Sequence, residues 1–278
     1  MDMSIYLART AIGTAKVSGD GLLCRGGMVR MAGTMDDLVA DRNLALLREG
    51  RRLVELGERA GLTVRLLGGV AFLAHCPALL DRGGIRAIAD VDVVVGDGQG
   101  RALGRLLDDD AGYRPEARFN ALHGDRRMLF HGPLGQLDVL VGTFEMCHTI
   151  RLAPRLALDQ PTVTVSDLLL TKLQIVELNE KDAHDALALL GEHELGRAEG
   201  DAVNLDYLDE LVAADWGLWR TVTGTLARLR KTTEDGAVHT RIDAISASLH
   251  AVPKTLRFKL RARIGERVPW YVLPDEVR

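Results

Sequence analysis

Two hydrophobic periods alternate along the chain, and each change of period marks an element. Between Met35 and Gly61, Leu38, Val39, Leu44, Leu47, Leu53 and Leu56 recur near three- and four-residue spacings, which predicts one amphipathic helix or two. A short strand is expected over 63–69, ending in Gly68-Gly69, and an apolar helix over 70–80 that closes at 81–84. Residues 87–95 read as a strand, 98–113 as a helix stopped at Gly112, and 126–142 as a hairpin turning at His131-Gly132-Pro133-Leu134-Gly135. A strand tail and two helices follow over 162–195, with Ser166 as the expected N-cap and Asp167 in the first turn. Residues 196–278 read as mostly helical, and 1–34, glycine-rich and without a sustained period, as an N-terminal extension of uncertain form. The pattern gives an α/β (α+β) fold: a small mixed sheet with flanking helices over 35–195 and a C-terminal helical region over 196–278.

Polar residues that break these patterns carry the chemistry. With a side-chain period of two, Asp90 and Asp92 share one face of their strand, while Val91, Val93 and Val95 share the other. Asp138 breaks the strand Leu137–Val141 in the same way. If the two strands are neighbours, three carboxylates converge, repel one another and call for a cation, for which Mg2+ with its hard oxygen ligands is suited. Taken alone, Asp-x-Asp in a strand more often marks a solvated edge or a pair with an arginine. Gly68-Gly69, between a strand and a helix, fits either a tight turn or a close approach to phosphate at a helix N-terminus.

Lys172 is flanked at three and four residues by Leu168, Leu169, Ile175 and Val176, the centre of an apolar stripe where lysine is unusual. It either snorkels to the rim or reaches the carboxylate cluster or a triphosphate. Lys181 and Asp185 stand four apart and suit a helix-surface ion pair. Arg127 suits a cross-strand ion pair better than a phosphate contact, and Cys147 and His148 suit structural roles.

Composition narrows the class. A net charge of −4 excludes a chain that is polybasic throughout, although Lys254, Arg257, Lys259, Arg261, Arg263 and Arg267 cluster near the C-terminus against Glu266, with Phe258 and Trp270 among them. That cluster is either a solvated helix or an RNA-backbone patch. Cys24, Cys76 and Cys147 match no metal spacing, and their odd number fits a reducing cytoplasm. No apolar run approaches a membrane span, and the N-terminus lacks an apolar signal core.

Gly68-Gly69, Asp90-Val91-Asp92 and Asp138, in that order, resemble the signature of the nucleotidyltransferase superfamily that includes DNA polymerase β. The longer gap between the glycines and the aspartates is more similar to the AbiEii-type toxins and related bacterial nucleotidyltransferases. Arg86, Lys172-Leu173, Lys181-Asp182 and Asp185 match further positions of that pattern. Ile88 stands where many relatives have Thr or Ser, and Gly69 where many have Ser. The resemblance covers about residues 60–195. It implies Mg2+-dependent transfer of a nucleoside monophosphate from an NTP to a hydroxyl of a tRNA, a protein or a small molecule. Two Mg2+ ions, or Mn2+, would lie on Asp90, Asp92 and Asp138, with Asp138 as general base. Gly68, Gly69, Arg86, Lys172, Lys181 and Asp185 would hold the nucleotide. It also implies a toxin or defence role with an antitoxin partner. The rival expectations are a silent nucleotide-binding scaffold of the same fold and an antibiotic-modifying enzyme.

Overall fold

The computed structural model describes residues 35–80 and 86–273; the expected extension over 1–34, with Cys24, and the expected helix closure over 81–84 lie outside them. Helix α1 (Met35–Arg59) is a single helix with a buried stripe of Asn43, Leu46, Leu47, Gly50, Leu53, Val54 and Gly57. Leu38, expected on that stripe, is exposed. The stripe contains two glycines because α1 crosses strand β1 (Val64–Leu67) at close range: a Cβ on Gly57 would lie 2.5 Å from Val64 Cγ2, and one on Gly50 2.7 Å from Leu66 Cδ2. Gly57→Ala should therefore lower stability by about 1–3 kcal/mol through overpacking, despite alanine's better helix propensity. Urea denaturation checks this, and an unchanged midpoint would mean that α1 shifts freely.

After β1 come α2 (Gly68–His75), β2 (Val91–Val95), α3 (Gly100–Asp109), β3 (Arg114–Pro115), α4 (Ala117–His123), β4 (Arg127–Gly132) and β5 (Gly135–Val141). The strands form one sheet in the order β1-β2-β5-β4-β3. β2 runs parallel to β5 and the other pairs are antiparallel, so the sheet is mixed. Register fixes the faces. Val64 and Leu66 pair with Val95 and Val93, and Val93 and Val95 pair with Val139 and Val141. This apolar face packs on α1 and on α3, whose Gly100 would place a Cβ 2.7 Å from Val141 Cγ2. Leu67, Asp92 and Asp138 align on the opposite face. The helix reading over 70–80 is corrected in its bounds: α2 starts at the glycine pair and ends at His75, and a 3-10 turn takes Pro77–Leu80. The aspartate strand is also shorter than expected, so Asp90 lies just before it.

The hairpin β6 (Thr143–Glu145) and β7 (Thr149–Arg151) leads to α5 (Val165–Leu173) and α6 (Glu180–Glu192). Residues 161–163 cover the outer edge of β1, with Leu66 N donating to the Pro161 carbonyl at 2.8 Å. The N-cap of α5 is Thr164, not Ser166: its hydroxyl accepts from Asp167 N and donates to the Asp167 carboxylate, a local box that competes better than Ser166, whose hydroxyl accepts from Asn204 N. A two-stranded parallel ribbon, β8 (Glu194–Gly196) and β9 (Ala202–Asn204), precedes α7 (Leu205–Ala214), α8 (Trp216–Thr232), α9 (Gly236–Ala251) and α10 (Leu256–Ile264). Val222, Leu226 and Ile242 join Leu168, Leu169 and Leu189 in one hydrophobic core. Among the described residues, no helix is long and apolar enough to cross a membrane.

Candidate functional site

Asp92 is the centre of the site because three elements place it there. It pairs with Leu67 across β1 and with Asp138 across the parallel β2–β5 ladder. Parallel partners present their side chains on the same face, so the two carboxylates are neighbours. Gly68 follows Leu67 at φ +60, and a Cβ there would lie 1.8 Å from Asp92 Oδ2. Only glycine satisfies both the left-handed backbone and this approach. Gly68→Ala should cost at least about 1–2 kcal/mol from the backbone conformation alone and should displace the Asp92 carboxylate. Thermal denaturation checks this; a native Tm would mean that the turn adjusts without cost.

The surroundings of Asp92 raise its proton affinity. Burial, then the charges of Asp90 and Asp138, push Asp92 up to about 7, against the opposing pull of Lys172 and Lys181. The folded protein therefore holds a proton on Asp92 between the ordinary carboxylate range and about pH 7, where the unfolded chain has lost it. Stability contributed by this proton is present at low pH and is lost as pH rises through that window. The protein should accordingly lose on the order of 1–4 kcal/mol from pH 4 to pH 7 from this group. Urea unfolding of the protein and of Asp92→Asn at several pH values measures it, and a slope that the substitution leaves unchanged would place the titration elsewhere.

Asp138 has a cationic partner in the sheet. Arg127, offset by two residues on β4, donates from Nε at 3.0 Å and from Nη2 at 2.6 Å to its carboxylate. This is the cross-strand pair expected of Arg127. A metal ion on Asp138 would have to compete with that guanidinium.

A second charged cluster borders the first. Arg86 makes a bidentate pair with Asp185, Nε to Oδ1 at 2.8 Å and Nη2 to Oδ2 at 2.6 Å. Lys172 Nζ lies 2.5 Å from Asp182 Oδ1 and 3.2 Å from Asp185 Oδ2, with the Phe72 ring 5.0 Å away. The expectation for Lys172 is thus corrected in part. Its direct partners are the acids of α6, while its charge still acts on Asp92. Its apolar stripe is shorter than expected because α5 ends at Leu173, before Ile175 and Val176. The expected Lys181–Asp185 surface pair is also corrected: Asp185 is buried and faces Arg86 and Lys172, while Lys181 is exposed. Arg86 packs over Gly69, where a Cβ would lie 3.1 Å from Nη2, and Ile88 fills the remaining space beside that glycine.

Asn43 is the residue the sequence reading missed. It is 1% exposed, donates to the Arg86 carbonyl at 2.9 Å and accepts from Ile88 N at 3.0 Å, and so pins the segment that carries Arg86 and leads into Asp90. The available signal was a polar residue on the three-four stripe of α1. Asn43→Leu leaves two buried backbone groups unpaired and should cost about 2–4 kcal/mol, measured by denaturant unfolding; a cost below about 0.5 kcal/mol would mean that the segment finds other partners.

The basic C-terminal cluster divides. Phe258 is buried edge-on to Trp219, and Arg261 lies 4.7 Å over the Trp216 ring and donates to the Gly265 and Val268 carbonyls. Lys254 donates to the Leu249 carbonyl. Arg257, Lys259, Arg263 and Arg267 are exposed. His148 bonds Thr221 at 2.8 Å, and Cys147 is buried, consistent with structural roles for both.

No protein-family model and no curated protein matches the sequence. Among solved structures, the chain is similar to an antigenic nucleotidyltransferase-like protein from Paracoccidioides brasiliensis, at 12% identity and a TM-score of 0.39, over 77% of this chain and 94% of that one.

Proposed function

We propose that the chain is a nucleotidyltransferase that moves a nucleoside monophosphate from an NTP to a hydroxyl acceptor. The observation that carries this reading is the alignment of Asp92 with Asp138 on one sheet face, beside Asp90 and against the Gly68 turn. A carboxyl whose proton affinity is raised by the charges of two neighbouring carboxylates fits a hard divalent cation, Mg2+ or Mn2+. Bound there, such ions would neutralise the triphosphate and the leaving pyrophosphate. The protein's own groups supply the rest. Asp138, released by Arg127, accepts the proton of the acceptor hydroxyl. The first turn of α2, which has no side-chain cap, turns its backbone N–H groups towards the phosphates. Arg86 and Lys172, held by Asp185 and Asp182, set the cationic border of the nucleotide pocket, and Lys181 adds charge from the surface.

The acceptor class in this reading is a tRNA end, a protein hydroxyl or a small molecule. The exposed cations Arg257, Lys259, Arg263 and Arg267 favour RNA. A toxin role with an antitoxin partner, in the cytoplasm, follows only from the resemblance to AbiEii-type proteins. Incubation with each labelled NTP, Mg2+ and a cell lysate tests the activity. Label in RNA, protein or a small molecule supports transfer and names the acceptor. NTP binding without label in any fraction favours the silent-scaffold reading, for which the Arg127–Asp138 pair is the specific support.

A further inference from the structure

A second group of ligand-type side chains lies at the other ends of the helices that carry the site. Helix α2 starts at Gly68 and ends at His75, and α6 carries Asp182 and Asp185 near its start and is capped by His193. With a rise of about 1.5 Å per residue, His75 lies about 10 Å along α2 from the glycine turn. One ring nitrogen of each histidine and a carboxylate oxygen of Asp201 lie within 4.8 Å of one another. The two rings meet edge to face with centroids 5.6 Å apart.

The hydrogen bonds of His193 are unusual for a neutral ring. Its side chain is 5% exposed. Nε2 lies 3.1 Å from the His75 carbonyl, while Nδ1 lies 2.9 Å from Asp201 Oδ1 and 3.4 Å from the Asp201 carbonyl, so both ring nitrogens face oxygen acceptors. A neutral ring has one proton for the two, and the nitrogen without it needs a further proton or a metal ion between it and its oxygen. A ring that donates one N–H to a backbone carbonyl and turns its other nitrogen to a carboxylate has the orientation found in metal-ligating histidines. The ring of His75 is held by Thr162 Oγ1 at 2.8 Å and the Val163 carbonyl at 3.1 Å from Nε2. The third ligand can adjust: Asp201 is 89% exposed and follows Gly200 at φ +142. Metal bonds of about 2.0–2.2 Å require only that the three groups draw in.

We propose that His75, His193 and Asp201 bind one borderline divalent ion of the Zn2+ class, which ties the far ends of α2 and α6 to the β8–β9 loop. Two imidazoles and one carboxylate suit Zn2+, Co2+ or Fe2+ better than Mg2+. The ion is structural: it holds the helices whose opposite ends place Gly68, Asp182 and Asp185. This site is independent of the transfer reaction and of the ions proposed for Asp90, Asp92 and Asp138.

Chelator-stripped full-length protein titrated with Co2+ in the presence of excess Mg2+ provides the test. One equivalent should bind with visible d–d absorption, and Zn2+ should displace it and raise Tm by roughly 5–10 °C. Asp201→Ala, an exposed substitution, should weaken binding at least about 10-fold and abolish the Tm shift. Asp92→Asn should leave both unchanged. Absence of a d–d band and of a Tm shift would overturn the site and make His193 and Asp201 a plain imidazolium–carboxylate pair. Binding lost in Asp92→Asn but kept in Asp201→Ala would overturn it as well, by placing the ion on the aspartates.

Discussion

Asp92→Asn is expected to lower the proposed nucleotidyl transfer by roughly 10³-fold or more while making the metal-free protein more stable above pH 7. Both effects come from one carboxylate. In the metal-free protein Asp92 is hemmed in by burial and by Asp90 and Asp138, so ionising it works against the fold. Asparagine has the same shape and no charge, and it leaves the β1–β2 and β2–β5 ladders intact. In the proposed reaction the substitution would remove one carboxylate oxygen from the residue that pairs with Asp138 across the ladder. Single-turnover transfer and denaturant unfolding, each with and without Mg2+, separate the two effects. A clear loss of metal-free stability would identify Asp92 as the partner of a structural cation, and unchanged transfer would remove it from the reaction.

The sequence made the aspartate face legible because strand periodicity is strict. Asp92 and Asp138 each replace one residue in an apolar strand, and a period of two assigns each a face without knowledge of the fold, whereas Asp90 lies just before its strand. Which strands would be neighbours was open, and the parallel pairing of β2 with β5 closes it. The α1 stripe was legible in period but not in composition. Its contact with β1 depends on Gly50 and Gly57, and its polar member Asn43 works through backbone groups more than forty residues away. Spacing along one helix cannot reveal such a partner. Lys172 fails for the same reason. Its neighbours on α5 said only that its ammonium must find something polar, while its partners lie on α6. The cap of α5 was misplaced by two residues because Ser166 and Thr164 are chemically alike, and only tertiary contact gives Ser166 to Asn204.

Lys172→Met is expected to destabilise the protein by about 3–5 kcal/mol, the usual cost of removing one partner from a buried ion pair. The side chain is 12% exposed, and its ammonium joins Asp182 to Asp185, themselves 14% and 3% exposed. Methionine keeps the stem against the Phe72 ring but leaves Asp182 facing Asp185 without the charge between them. Arg86 still compensates Asp185, so the strain falls mainly on Asp182. Adding Asp182→Asn should therefore recover about 0.5–3 kcal/mol, which urea unfolding of the single and double variants would show. The proposed transfer should fall with either single change, because Lys172 is absent in one and no longer held by Asp182 in the other. A Lys172→Met cost below about 1 kcal/mol with strongly weakened NTP binding would show the opposite arrangement, in which the ammonium is held for a phosphate and the two acids do without it.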